Sequence, residues 1–110
     1  MTLPAAEALV LQSLVQTAEQ GIASRLLART AGGNLTLFAF DRGQGLTEHT
    51  SAFEAFALVL EGALLITIGG AAVRAVPGTI VRLPASVPHA VEAPEPSRML
   101  LVMLRERGDS

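Results

Sequence analysis

A chain of 110 residues has room for one domain and not for two. Its formal charge of −2, with eight Lys and Arg and no basic run, gives no electrostatic footprint for nucleic acid. The absence of cysteine excludes disulfides, thiolate nucleophiles and thiolate metal sites, and the absence of Tyr and Trp removes phenolic acids. Half of the residues are apolar and 16% are charged, more apolar surface than so small a domain hides internally, so a homodimer is expected.

Residues 1–20 read as an N-terminal extension. Pro4 suits the first turn of a helix, and Leu9, Val10, Leu14 and Val15 recur near helical spacing. A short helix over residues 4–16 is therefore expected, although its second half reads equally well as extended chain. No basic stretch precedes these residues, and Glu7, Gln12, Gln16 and Glu19 interrupt them. Neither a targeting signal nor a membrane span is expected, and the default location is the cytoplasm.

From residue 21 the pattern becomes one of short strands and turns. Ile22–Arg29 and Leu35–Phe40 flank Gly32-Gly33-Asn34, and Gly43-Gln44-Gly45 breaks the chain again. Phe56–Leu60 and Ala63–Ile68 flank Glu61-Gly62, and Gly69-Gly70 suits a tight hairpin that needs positive φ. Val73–Val76 runs into Pro77-Gly78, Thr79–Leu83 into Pro84, and His89–Glu92 into Pro94-Glu95-Pro96, before a last strand over Met99–Leu104. Frequent turn signals without a long helical pattern indicate an all-β sandwich or barrel over residues 21–106, followed by a tail at 107–110.

Two stretches of this region resemble the paired motifs of the cupin superfamily. The first family motif runs Gly, five residues, His-x-His, a short gap, Glu, six residues, Gly, and matches Gly43 to Gly62. The second runs Gly, five residues, Pro-x-Gly, two residues, His, three residues, Asn, and matches Gly78 to Ala93. The resemblance covers about residues 35–104 and looks like that of compact, single-domain prokaryotic cupins. It implies a jelly-roll-like double-stranded β-helix of two facing antiparallel sheets, with a central pocket at one end.

It also implies where a metal would sit, since the first motif supplies three ligands and the second one. His49 and His89 match ligand positions, but Ser51 stands at the second His and Ala55 at the Glu. Ser86 replaces the glycine of the second motif and Ala93 its asparagine. A catalytic divalent metal usually takes three protein ligands plus water, so two imidazoles are expected to bind Mn, Fe, Ni or Zn weakly. Glu54 lies one residue before the expected carboxylate. Alternation turns it outward, and only a β-bulge would bring it in as a third ligand.

Parity places Ala57 and Val59 on the face of Ala55, and Val91 and Ala93 on the face of His89. The expected pocket is therefore lined by His49, Ser51, Ala55, Ala57, Val59, His89, Val91 and Ala93. It has small or apolar walls and no evident inward Arg or Lys. The expected function is binding of a small molecule beside the two histidines. The alternative is a cupin enzyme of oxygenase or isomerase type, using His49, His89 and Glu54 with a metal, or one imidazole as general base. The fold alone selects neither, because the cupin barrel carries many unrelated activities.

Overall fold

The computed structural model describes residues 3–105, so the tail expected at 107–110 lies outside the described residues. Nine strands follow one another: β1 (Ile22–Thr30), β2 (Gly33–Phe40), β3 (Gly45–His49), β4 (Phe53–Glu61), β5 (Leu64–Ile68), β6 (Ala71–Ala75), β7 (Ile80–Leu83), β8 (His89–Glu92) and β9 (Ser97–Arg105). They form an antiparallel five-stranded sheet, β1-β2-β9-β4-β7, and an antiparallel four-stranded sheet, β3-β8-β5-β6. This is the expected all-β, cupin-type architecture.

The turns follow the glycines. Gly69 and Gly70 both take positive φ (56° and 87°), and Ile68 faces Ala71 across them. Gly62, at φ 77°, ends β4 where a side chain would run into the Pro96 carbonyl and the Ser97 hydroxyl. Ser97 is itself buried. Its hydroxyl accepts the Ala63 N–H (3.1 Å), and its proton lies between the carbonyls of Ala63 (2.9 Å) and Glu95 (2.8 Å). The β4–β5 and β8–β9 connections are thereby joined.

Alternation sends one residue set of each strand between the sheets. Phe40, Ala55, Ala57, Val59, Leu83 and Met99 of the five-stranded sheet meet Leu64, Ile66, Ala75 and Val91 of the other. Burying the Phe, Leu, Ile, Val and Met side chains of this set contributes about 1.5–3 kcal/mol each, which makes this layer the main stabilising element. The opposite face of the five-stranded sheet is also apolar. Leu27, Leu37 and Ala39 form a second core there, covered by Leu3, Leu11, Leu14 and Val15 of the N-terminal segment.

That covering segment is not the expected helix. It contains one 3-10 turn, Leu11–Leu14, between extended residues Val10 and Val15, and Ala6 and Gln20 take positive φ. The reason is tertiary: Arg25 donates to the Leu14 carbonyl (3.2 Å) and Arg98 to the Val15 carbonyl (3.2 Å), groups that a continuing helix would use itself. Leu9 and Val10, which suggested the helical stripe, are exposed. Among the described residues no helix is long and apolar enough to cross a membrane.

Candidate functional site

The two motif segments lie side by side as one antiparallel pair. Gly43 N–H donates to the Ala93 carbonyl and Ala93 N–H to the Gln44 carbonyl (both 2.8 Å). Gly45 then faces Glu92, Leu46 faces Val91, and His49 faces His89. Beyond the strands, Ser86 N–H donates to the Ser51 carbonyl (2.8 Å), so the ladder joins both motifs from end to end.

A β-bulge decides where His49 points. Two residues lie between Leu46 and His49, whereas one lies between their partners Val91 and His89, so β3 carries one extra residue. Leu46 packs on the core, and strict alternation from it would turn His49 away. The bulge restores the ring to the side of His89, in keeping with the placement of bulges beside sites.

The two imidazoles meet edge to face, with centroids 4.4 Å apart and planes at 69°. Each is held through Nδ1 by a carbonyl two residues upstream: His49 by Thr47 (2.8 Å) and His89 by Val87 (3.3 Å). A carbonyl only accepts, so Nδ1 carries the proton and Nε2 of each neutral ring keeps its lone pair. His49 is exposed and His89 is buried. Burial, and secondarily the neighbouring His49 ring, push the His89 pKa below its ordinary value; the contact with Val87 opposes this.

Ser51 is half-buried, and its hydroxyl accepts the Phe53 N–H (3.0 Å), closing a local turn into β4. Ala55, Ala57, Val59, Val91 and Ala93 are buried, all in the core between the sheets. Ser86, at the motif glycine, keeps the left-handed backbone with φ 63°, so the turn survives the replacement. Glu54 is turned to the opposite face. Its carboxylate accepts from the Arg82 guanidinium and from the Ala85 N–H (3.2 Å), and both hold its pKa below the usual range. The bulge in β4 falls between Val59 and Glu61, so the register through Glu54 is regular and opposes it to Leu104.

One feature of the site region escaped sequence reasoning. On the face of the five-stranded sheet that carries Met99 and Met103, a cavity of about 400 Å³ is lined by Leu26, Arg29, Thr30, Gly33, Asn34, Thr36, Phe53, Met103 and Arg105. Arg105 shares its face with Met99, Leu101 and Met103, which alternation along β9 alone would have shown. Arg29 was hidden. A bulge between Leu26 and Ala28 shifts the parity of β1, so that Arg25 and Arg29, four residues apart, lie on opposite faces.

A cupin domain family model matches residues 36–104. Among solved structures, a conserved protein of unknown function from Streptococcus pyogenes, SPY1581, is 31% identical. That alignment covers 96% of this chain and 93% of that one, with a TM-score of 0.90. A cupin superfamily protein from Desulfitobacterium hafniense is 28% identical over 94% and 95% of the two chains (TM-score 0.88). KdgF from a Halomonas species is 28% identical over 86% and 88% (TM-score 0.75). No functionally curated protein matches the sequence. Motif spacing, two-sheet topology and a family match over most of the length agree, and the chain belongs to the cupin family.

Proposed function

We propose that this cupin binds a small molecule at the open end of its two-sheet interior, with His49 and His89 as the polar contact. The observation that carries this reading is the pair of Nδ1–carbonyl contacts, which fix both rings and leave Nε2 of a neutral ring as an acceptor. A ligand hydroxyl or amide N–H is the natural partner. The side chains next to the pair, Ile68 opposite His89 and Leu46 opposite Val91, are apolar. A few polar groups in an apolar lining is the usual composition of a small-molecule pocket.

The donor set fits a resident divalent metal poorly. No group of three or more His, Cys, Asp or Glu able to hold a metal occurs among the described residues. Ser51 spends its oxygen on the Phe53 N–H, Ala55 offers a methyl group, and the Glu54 carboxylate is occupied by Arg82 and Ala85. Two imidazoles leave a site below the usual three-ligand minimum. The metal-assisted enzyme would need a third ligand from elsewhere.

Elemental analysis with thermal melting separates the readings. The expected result is metal well below one equivalent and a melting temperature unmoved by chelator or by added Mn²⁺, Fe²⁺, Ni²⁺ or Zn²⁺. Stoichiometric metal that disappears in His49→Ala would overturn the proposal. For the binding itself, fragment titrations followed by NMR should give saturable shifts at the His49 and His89 ring protons. Saturable hits that all fall elsewhere would move the site.

A further inference from the structure

The cavity flanked by Arg29 and Arg105 has a composition unlike the rest of the interior. Its nine lining residues include two guanidinium groups and no carboxylate, in a chain whose net charge is −2. Three arginines elsewhere are matched, whereas among the described residues Arg42, between β2 and β3, and Arg74, in β6, make no side-chain hydrogen bond but stand apart from each other. Arg82 pairs with Glu54, Arg98 with Glu61, and Arg25 donates to the Leu14 carbonyl. Among the described residues neither Arg29 nor Arg105 has an ion-pair partner.

The Arg105 guanidinium lies 5.2 Å from the centroid of the Phe53 ring, an arrangement that holds the planar fork in place while leaving its N–H edges available. Asn34 stands beside it in register with Met103, and its Oδ1 accepts from the Thr36 hydroxyl (3.2 Å), which leaves the amide NH₂ to donate. Leu26, Phe53 and Met103 give the cavity an apolar side. Two cations, a free amide and an apolar wall together describe a receptor for an anion with a carbon skeleton.

We propose that this cavity binds a small molecule through a carboxylate, held by Arg29 and Arg105 with its carbon skeleton against Phe53 and Met103. A planar carboxylate matches the guanidinium fork. Phosphate sites usually add backbone N–H groups from a helix N-terminus or a glycine-rich loop, whereas Arg29, Asn34 and Thr36 lie on paired strands. The inference stands on the arginine cavity and is separable from the reading of the imidazoles.

The test is an NMR titration of the full chain with acetate, pyruvate and benzoate, followed on the arginine Nε–H resonances. Benzamide serves as the uncharged control and inorganic phosphate as the competing oxyanion. Saturable shifts at Arg29 and Arg105 are expected with benzoate and absent with benzamide. Arg29→Gln and Arg105→Gln should each weaken benzoate by about tenfold or more, the usual worth of a charge-assisted hydrogen bond. Both side chains are on exposed residues, so the variants should melt with the parent. Arg74→Gln, which removes an exposed arginine of β6 away from the cavity, should leave benzoate affinity unchanged. The proposal is overturned by equal shifts with benzamide, by tighter saturation with phosphate, by no saturable shift with any of the three acids, or by an equal loss in Arg74→Gln.

Discussion

Within the interior, burial falls steadily from one end to the other along the same strands. Phe40 in β2, Val59 in β4, Leu64 in β5 and Met99 in β9 are shut off from solvent. Toward the opposite ends of those strands, Asn34, Phe53, Ile68 and Met103 are only half-buried, and Arg105 is exposed. At the closed end the polar residue, Ser97, has every hydrogen bond satisfied by backbone; at the open end the imidazoles and arginines keep free donors or acceptors. One pair of sheets thus supplies a packed anchor and a receptive mouth, and stability and binding can be perturbed separately.

The largest expected effect comes from the closed end. Phe40→Ala should cost about 3–5 kcal/mol in equilibrium unfolding, since the ring is fully enclosed and the sheets cannot collapse into the space. A loss no larger than that of a mouth substitution would erase the distinction between the ends. Gly62→Ala comes next. The left-handed backbone alone costs about 1–2 kcal/mol, and the methyl group must also displace the Pro96 carbonyl. A shifted urea midpoint with an unchanged slope is the expected signature.

At the mouth the effect depends on pH. The folded-state pKa of His89 lies below the ordinary 6.5, so between those two values the unfolded chain binds more protons. Stability from this residue is present above about pH 6.5 and is lost as pH falls through the window below it. Urea midpoints measured from pH 8 to pH 5 should decline in the parent and decline less in His89→Ala. Parallel curves would mean that burial at the mouth does not matter. Glu54 and Asp41 also have lowered pKa values, but their contribution is lost only in the more acid carboxylate range, so the two windows separate. The smallest effect is expected for Glu54→Gln, on the outer face. It should leave both binding and the unfolding midpoint near the parent values at neutral pH, as exposed ion pairs generally do.

Much of this was legible in the sequence because turns are local. Gly69 and Gly70 take the positive φ expected of them, Gly62 and Gly78 fall at the strand ends expected of them, and strands β1, β2, β4 to β9 lie on the runs that read as strands. Strand β3 was not read as one. Its five residues include a single large apolar side chain, Leu46, and its identity as a strand depends on pairing with β8. The helix expected over residues 4–16 failed for a related reason: Leu3, Leu11, Leu14 and Val15 pack on the outer sheet face from a largely extended segment, while Leu9 and Val10 stay exposed. At the site, the motif placed His49 and His89, yet the bulges that turn His49 and Arg29 inward have no local signature. A single extra residue inverts parity, and it is visible only once the partner strand is known.

The pairing of the two motifs has a kinetic consequence. His49 and His89 meet only when β3 joins β8, which closes the chain from Thr50 to Pro88 into a loop. Closing a long loop has an entropic cost that slows such non-local pairing. The ring pair is therefore a reporter of long-range closure, and its NMR signature should be absent from any partly folded state in which β3 is unpaired.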